Sequence, residues 1–295
     1  MKKIICLLIL LFMAVPAWAQ NVVETVPDDV ETTVGHLYDT TEDEPDPEEL
    51  LVQKFESLLA GAEAGDAEAQ TAVGVCYLEG EGVEHDYELA MQWFRKAAKQ
   101  HNSSAEFYIG LMYSEGIGLK RDYVTALEWY EKSAAQNDPK GYNGIGVLYY
   151  RGKGIKRDYT TALGYFQRAA GLGYSEAYAY LGVMYENGQG VEKDLNTAFQ
   201  YNCLGAEGGS MLAQYNLSRM YYKGRGVEKD MIMAYKWIAI SRYLGNDSDQ
   251  AMEHMNMVSK WLSSRDFNIA KEQTDRWLKE HNVLRRAPLM KIGLF

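Results

Sequence analysis

Asp86, Asp122, Asp158, Asp194 and Asp230 stand 36 residues apart, with no insertion or deletion between them. Two glycines precede each aspartate at fixed distance: Gly80 and Gly82, Gly116 and Gly118, Gly152 and Gly154, Gly188 and Gly190, Gly224 and Gly226. A period held this strictly is the mark of a stacked repeat array, in which each unit buries its apolar side only against its neighbours. It also narrows the question of function. Solenoids usually offer a long surface to a partner rather than enclosing a reaction centre.

Each unit reads as helix, glycine loop, helix. The first helix starts at an N-cap column of Asp66, Asn102, Asp138, Tyr174 and Ser210, most of which carry an acceptor for first-turn amides. Pro139 follows Asp138 at the first helical position, where its missing N–H costs nothing. A small residue then recurs at Ala69, Ala105, Gly141, Ala177 and Ala213. Four residues on stand Val73, Ile109, Ile145, Leu181 and Leu217, and four further Tyr77, Tyr113, Tyr149, Tyr185 and Tyr221. That spacing draws one apolar stripe down a helix face. Beside it lie Gly74, Gly110, Gly146 and Gly182, with Ser218 in the last repeat. Glycine costs about 1 kcal/mol inside a helix, so its recurrence predicts close backbone approach of the neighbouring helix.

The paired glycines end that helix through the left-handed conformation. Val83, Leu119, Ile155, Val191 and Val227 are expected to plug the loop onto the core, and the aspartate column to cap the second helix. The second helix repeats Ala90, Ala126, Ala162, Ala198 and Ala234, then Trp93, Trp129, Tyr165, Tyr201 and Trp237. A basic column follows at Lys96, Lys132 and Arg168 and turns apolar at Leu204 and Ile240.

The combined pattern Ala-x3-Leu-Gly-x2-Tyr-x2-Gly-x-Gly-Val-x2-Asp-x3-Ala-x2-Trp resembles the Sel-one-like repeat (SLR), a relative of the tetratricopeptide repeat. It runs in five consecutive copies over residues 66–246. The resemblance implies an all-α fold, an α/α superhelical solenoid of five 36-residue helix-loop-helix repeats used for protein–protein contact. Some cysteine-rich members of that family have been described as β-lactamases and carry a cysteine pair in each repeat. This chain has no such pair, so that activity is not carried over.

A solenoid also needs covered ends. Residues 50–65, with Leu51, Phe55, Leu58, Leu59 and Ala62, fit an unpaired second helix serving as N-terminal cap. Residues 247–283 read as two closing helices, broken at Ser263-Ser264, and they are the expected cover for Leu204 and Ile240; an apolar docking patch there is the alternative. Residues 284–295, with Arg285, Arg286, Lys291 and Leu294-Phe295, form a basic and apolar tail.

The opening residues are of another kind. Lys2 and Lys3, the apolar run from Ile4 to Val15, and Ala17-Trp18-Ala19 read as a secretory signal peptide (1–19) of bacterial type. Cys6 lies inside the apolar run rather than at its end, which argues against a lipoprotein anchor. The expected location is the periplasm, with secretion as the alternative and no membrane span once the signal is cleaved. Residues 20–49 carry eleven carboxylates and no lysine or arginine after Gln20, and are expected to be disordered. The chain's formal charge is −11. The acidic segment supplies nearly all of it, leaving the repeats close to neutral. Nothing forms the basic stripe that nucleic-acid binding requires.

Enzyme signatures fail one after another. His36, His85, His101, His254 and His281 are scattered, and there is no H-E-x-x-H, G-x-S-x-G or Ser-x-x-Lys. The glycine loops lack the Gly-Lys-Ser/Thr ending, follow helices and occur five times, so they read as turns rather than phosphate cradles. Cys76 falls in a core column with Met112, Leu148, Met184 and Met220, whereas Cys203 falls in a polar one; three and a half repeats apart, they are not expected to bond. No catalytic residue, metal or cofactor is expected. What remains is surface. On the first helices the positions free to vary hold Phe107, Tyr150, Tyr215, Arg219 and Tyr222, residue types enriched at binding hot spots. The expected function is a non-catalytic adaptor or regulator in the cell envelope. The alternative is an inhibitor, such as an immunity protein against an exported toxic enzyme, and a hydrolase is the least favoured reading.

Overall fold

The computed structural model describes residues 47–281 and 283. The expected signal peptide, residues 20–46 of the acidic segment and the tail at 284–295 lie outside them. Among the described residues all regular structure is helical. A leading helix, α1 (Pro47–Glu63), precedes five pairs: α2 (Ala67–Glu79) with α3 (Tyr87–Ala98), α4 (Ser103–Glu115) with α5 (Tyr123–Ala135), α6 (Pro139–Arg151) with α7 (Tyr159–Gly171), α8 (Ser175–Asn187) with α9 (Leu195–Glu207), and α10 (Met211–Lys223) with α11 (Met231–Tyr243). Two closing helices follow, α12 (Asp249–Ser259) and α13 (Ser264–Glu280). Helix α1 begins three residues earlier than the sequence suggested. Pro47 supplies the preset φ of a first helical residue, and Glu48 and Glu49 suit the positive end of the helix dipole.

The two helices of a repeat pack on each other, and each second helix packs on the first helix of the next repeat. All five aspartates cap second helices: Asp86 accepts from Leu89 N–H, and Asp158 from Thr160 N–H, Thr161 N–H and the Thr161 hydroxyl. Asp122, Asp194 and Asp230 do the same. In the first-helix column Asp66, Asn102, Asp138 and Ser210 cap through their side chains, and Tyr174 does not.

The helical glycines have a different cause from the one their spacing suggested. A Cβ at Gly74 would lie 2.5 Å from Phe94 Cε1, one at Gly110 2.7 Å from Tyr130 Cδ1, and one at Gly146 2.7 Å from Phe166 Cε1. At Gly182 the intruder is the Asn202 amide. What approaches first is a side chain of the second helix in the same repeat, chiefly an aromatic ring; a backbone atom comes close as well at Gly110, the Ala126 carbonyl oxygen at 3.2 Å. Those rings also reach the next repeat. Phe94 stacks on Tyr108 (centroids 5.0 Å, 7° between planes) and Phe166 on Tyr180 (4.6 Å, 3°). At the junction between, Tyr130 lies against Gly144, and at the last one the position pair is Asn202 and Asn216, whose Oδ1 and Nδ2 atoms have no hydrogen-bond partner. Junctions therefore alternate between ring on ring and ring on glycine, then turn polar.

All ten loop glycines have φ between +66° and +72°. The second of each pair also rests on the start of the preceding second helix: Gly118 on Tyr87, Gly154 on Tyr123, Gly190 on Tyr159, Gly226 on Leu195. Gly82 rests in the same way on Leu51 of α1. Helix α1 thus occupies the place of a second helix, with Phe55 and Ala62 buried against Val73 and Cys76. One more positive-φ column, at the turn between repeats, escaped sequence reading: Gly65, His101, Asn137, Gly173, Gly209 and Gly245. Two of its six members are not glycine.

At the other end α12 and α13 pack on α11. Ile240 is fully buried in a cluster with Trp237, Trp277, Leu278 and Val283. Leu204 departs from expectation: it is 54% exposed. Helix α13 contacts the end of α9 through polar groups, Trp277 Nε1–H donating to Glu207 Oε2 at 2.8 Å, and leaves the leucine uncovered.

Candidate interaction surface

The first helices form a layer, and consecutive members of it touch, α4 with α6 and α8 with α10. Their stripe of Val73, Ile109, Ile145, Leu181 and Leu217 faces the core and is almost wholly buried. The opposite face is defined by the column Val75, Leu111, Val147, Val183 and Arg219, every member of which is half-buried, Val75 and Val147 also touching the core clusters with their inner edges. Tyr108 and Tyr180 stand beside it, one residue C-terminal to the column that holds Phe107. Other positions on these helices are less free than their variability suggested. Thr71, Leu78, Ser114, Ala179 and Glu186 are buried, because successive first helices share those flanks.

The five aromatic and basic candidates are all half-buried, and the structure gathers only three of them. Tyr215, Arg219 and Tyr222 surround His254 of α12: its ring lies edge-on to Tyr215 at 5.7 Å and to Tyr222 at 5.5 Å, and the Arg219 guanidinium sits 5.7 Å from the Tyr215 ring. Part of this group is therefore engaged in holding the closing helix. Tyr150 sits apart, its hydroxyl donating to Gln189 Oε1 of the next repeat at 3.0 Å and its ring against Tyr159 and Tyr180. Phe107 stacks on Tyr130 at 5.7 Å, with the Lys140 ammonium at 5.8 Å.

His254 was legible only indirectly, through the serine that breaks the glycine column. Ser218 Oγ donates to the Ala234 carbonyl at 2.6 Å, so it must accept from His254 Nε2–H at 2.9 Å. Burial, reinforced by Arg219 and Lys223, pushes the His254 pKa down to about 4. The imidazole is a neutral Nε2–H tautomer serving as a structural donor.

A cleft of about 530 Å³ opens on the same layer over repeats 1 to 3. Leu58, Val75 and Tyr108 supply apolar wall, and Glu68, Lys140 and Ser104 polar groups. The Thr71 hydroxyl, with a single proton, stands within reach of two acceptors, the Ala67 carbonyl at 2.9 Å and Asn102 Oδ1 at 3.0 Å. Burial raises the carboxyls of Glu79 and Glu176, and pushes the Tyr108 hydroxyl up to about 12. Cys76 lines the cleft but is 4% exposed, and burial lifts its thiol to about 11; Cys203, half-buried, is lifted to the same value. Both are free and stay protonated at neutral pH. Among the described residues no group of histidine, cysteine, aspartate and glutamate is arranged to hold a metal ion. No helix among them is long and apolar enough to cross a membrane.

Stacked helix pairs joined by glycine loops, with one layer exposed as a continuous face, define an α/α repeat solenoid. The chain belongs to the Sel1 repeat family: the family profile matches residues 67–102, 103–138, 139–174, 175–210 and 212–246. Arrays of this family are generally scaffolds for protein–protein contact. Among solved structures the chain is similar to a Sel1 repeat protein from Oxalobacter formigenes, at 32% identity and TM-score 0.58 over 80% of this chain and 96% of that one. A Sel1 repeat protein from Klebsiella pneumoniae is 22% identical, with TM-score 0.51 over 70% of this chain and 99% of that one, a likeness of fold alone. An immunity protein from Pseudomonas aeruginosa, 18% identical with TM-score 0.46 over 85% of this chain and 84% of that one, is too remote to say what this chain does. None of the curated proteins is similar enough to count as a relative.

Proposed function

We propose that this chain is a non-catalytic adaptor or regulator of the bacterial cell envelope, exported by residues 1–19 and binding another protein along its first-helix layer. One observation carries the reading: Val75, Leu111, Val147 and Val183 present apolar side chains in line from four successive first helices, only half-buried, while the opposite stripe of those helices is sealed in the core. An aligned apolar column framed by tyrosines is the composition of an interface centre rather than of an ordinary solvated face. The basic start and Ala-x-Ala ending of residues 1–19 support export.

Site-specific photocrosslinking in the native host tests this. A benzoyl-phenylalanine at Val147 or Val183 is expected to trap a discrete protein adduct, and the same probe at Glu131, exposed on a second helix, is not. Equal adducts from both faces, or none from the first-helix layer, would overturn the reading.

A further inference from the structure

Along the first-helix layer, charge changes sign. Repeats 1 and 2 bring Glu68, Glu79 and Glu115 to the exposed face and no basic residue. Repeats 3 to 5 bring Lys140, Arg151, Arg219 and Lys223 against Glu176. None of these eight takes part in an ion pair among the described residues. Glu186, on the same layer, does, with Arg225 at 2.7 Å, and at the rim of the cleft Lys54 pairs with Glu81 at 3.2 Å; those pairs cancel locally. The loops follow the same trend. Repeat 1 offers Glu81 and Glu84, and repeat 3 offers Lys153, Lys156 and Arg157; the loop of repeat 2 is already basic at Lys120 and Arg121, so the loops change sign one repeat before the helices do.

The two signs are gathered mainly on different repeats, and the apolar column runs across both groups. Successive packed helices lie about 8–10 Å apart, roughly one screening length at physiological salt. Charges two or more repeats apart therefore act separately on whatever lies across them. The cleft shows the arrangement in miniature, with Glu68 of repeat 1 and Lys140 of repeat 3 in its walls and Val75, Leu58 and Tyr108 beside them. Glu79, raised by burial and by its neighbour Glu81, is a carboxylate that an arriving cation would relieve.

Resting on the reading of this layer as the binding face, we infer that it is polarised and takes an extended segment of a partner protein with its charges segregated: basic side chains over repeats 1 and 2, apolar ones on the valine and leucine column, acidic ones over repeats 3 to 5. An extended chain fits because it rises about 3.3 Å per residue, so every third residue meets a new helix. A segment laid down the other way would set like charges together, which suppresses wrong registers and wrong partners. The face reads charge order, not charge content.

The test uses the chain lacking only residues 1–19 and fluorescent synthetic peptides of one composition, rich in valine and tyrosine. In two peptides lysines occupy one end and glutamates the other, in both chain directions; in the third the charges alternate. One segregated peptide is expected to bind at least tenfold tighter than the alternating one, and the gap is expected to narrow with added salt. Arg151→Glu with Lys223→Glu is expected to abolish the gap, and Glu68→Gln with Glu115→Gln to shrink it. All four side chains are exposed, and thermal midpoints report folding. Lys271→Glu on the exposed side of α13 is expected to leave it intact. Equal binding of all three peptides, or a gap that survives both double variants, overturns the inference. A salt-sensitive dimer lost in Arg151→Glu with Lys223→Glu also overturns it, in favour of a second copy as occupant. Adducts trapped from Val147 without any order preference would sink this inference alone; no adducts at all would sink the reading beneath it.

Discussion

A glycine in a helix interior is a statement about its neighbour. At Gly146 the space a methyl would need belongs to the Phe166 ring, and at Gly164 on α7 nothing lies within 4 Å. Alanine gains about 1 kcal/mol over glycine in a helix, and forcing a methyl into a packed core costs about 1–3 kcal/mol. Gly164→Ala is therefore expected to raise the thermal midpoint and Gly146→Ala to lower it. A rise in both would mean that the ring yields freely. The position of these glycines was legible from spacing, but their reason was not: a sequence displays the vacancy and not the atom that fills it. His254 gives a prediction in pH. Its folded pKa, about 4, lies below the ordinary value of about 6.5, so between these values the unfolded chain holds the extra proton. The histidine's contribution is full above pH 6.5 and is lost as pH falls towards 4. Glu79, Glu106 and Glu176 have raised pKa values and act in the opposite sense. The comparison with His254→Gln isolates the histidine: the wild type is expected to lose more stability than the variant from pH 7 to 4.5. Parallel pH profiles would refute the assignment.

Among the elements, the caps were the most legible, because a cap needs only one side chain at one backbone position. Aspartate before a helix, and glycine after one, are decided locally. Covering a solenoid end is decided by shape. Sequence reading assigned α12 and α13 to that task and expected both Leu204 and Ile240 beneath them; only Ile240 is buried. The anchor of α13 is Trp277, edge-on to Trp237 at 6.0 Å and stacked on His281 at 3.8 Å. Trp277→Ala is expected to destabilise the closing end by about 3–5 kcal/mol, the usual loss for a buried tryptophan. A loss under about 1 kcal/mol would show that α13 is not a structural cap.

Over the described residues there is no common centre. Apolar clusters follow one another down the array, each shared by adjacent helices. Damage should therefore stay near its origin. In hydrogen exchange, Trp277→Ala is expected to speed exchange in α10 to α13 and leave α2 to α5 unchanged; uniform acceleration would show a single cooperative unit instead. At this scale the repeat array was legible, since a strict period permits few folds. The binding face was less so. Aromatic residues drew the eye, yet Tyr215 and Tyr222 pack on His254 of the closing helix, while the signal that varies along the array is charge.

The alternating junctions bear on how such a chain can change its length. Excising residues 103–138 would bring Phe94 against Gly144, leaving a ring without the ring it now stacks on. Excising residues 103–174 would set Phe94 against Tyr180, restoring a match already present twice, and would place Asn102 before Ser175 as a ready cap. The interchangeable cassette is thus two repeats, and inheritance by duplication or loss should find even steps gentler than odd ones.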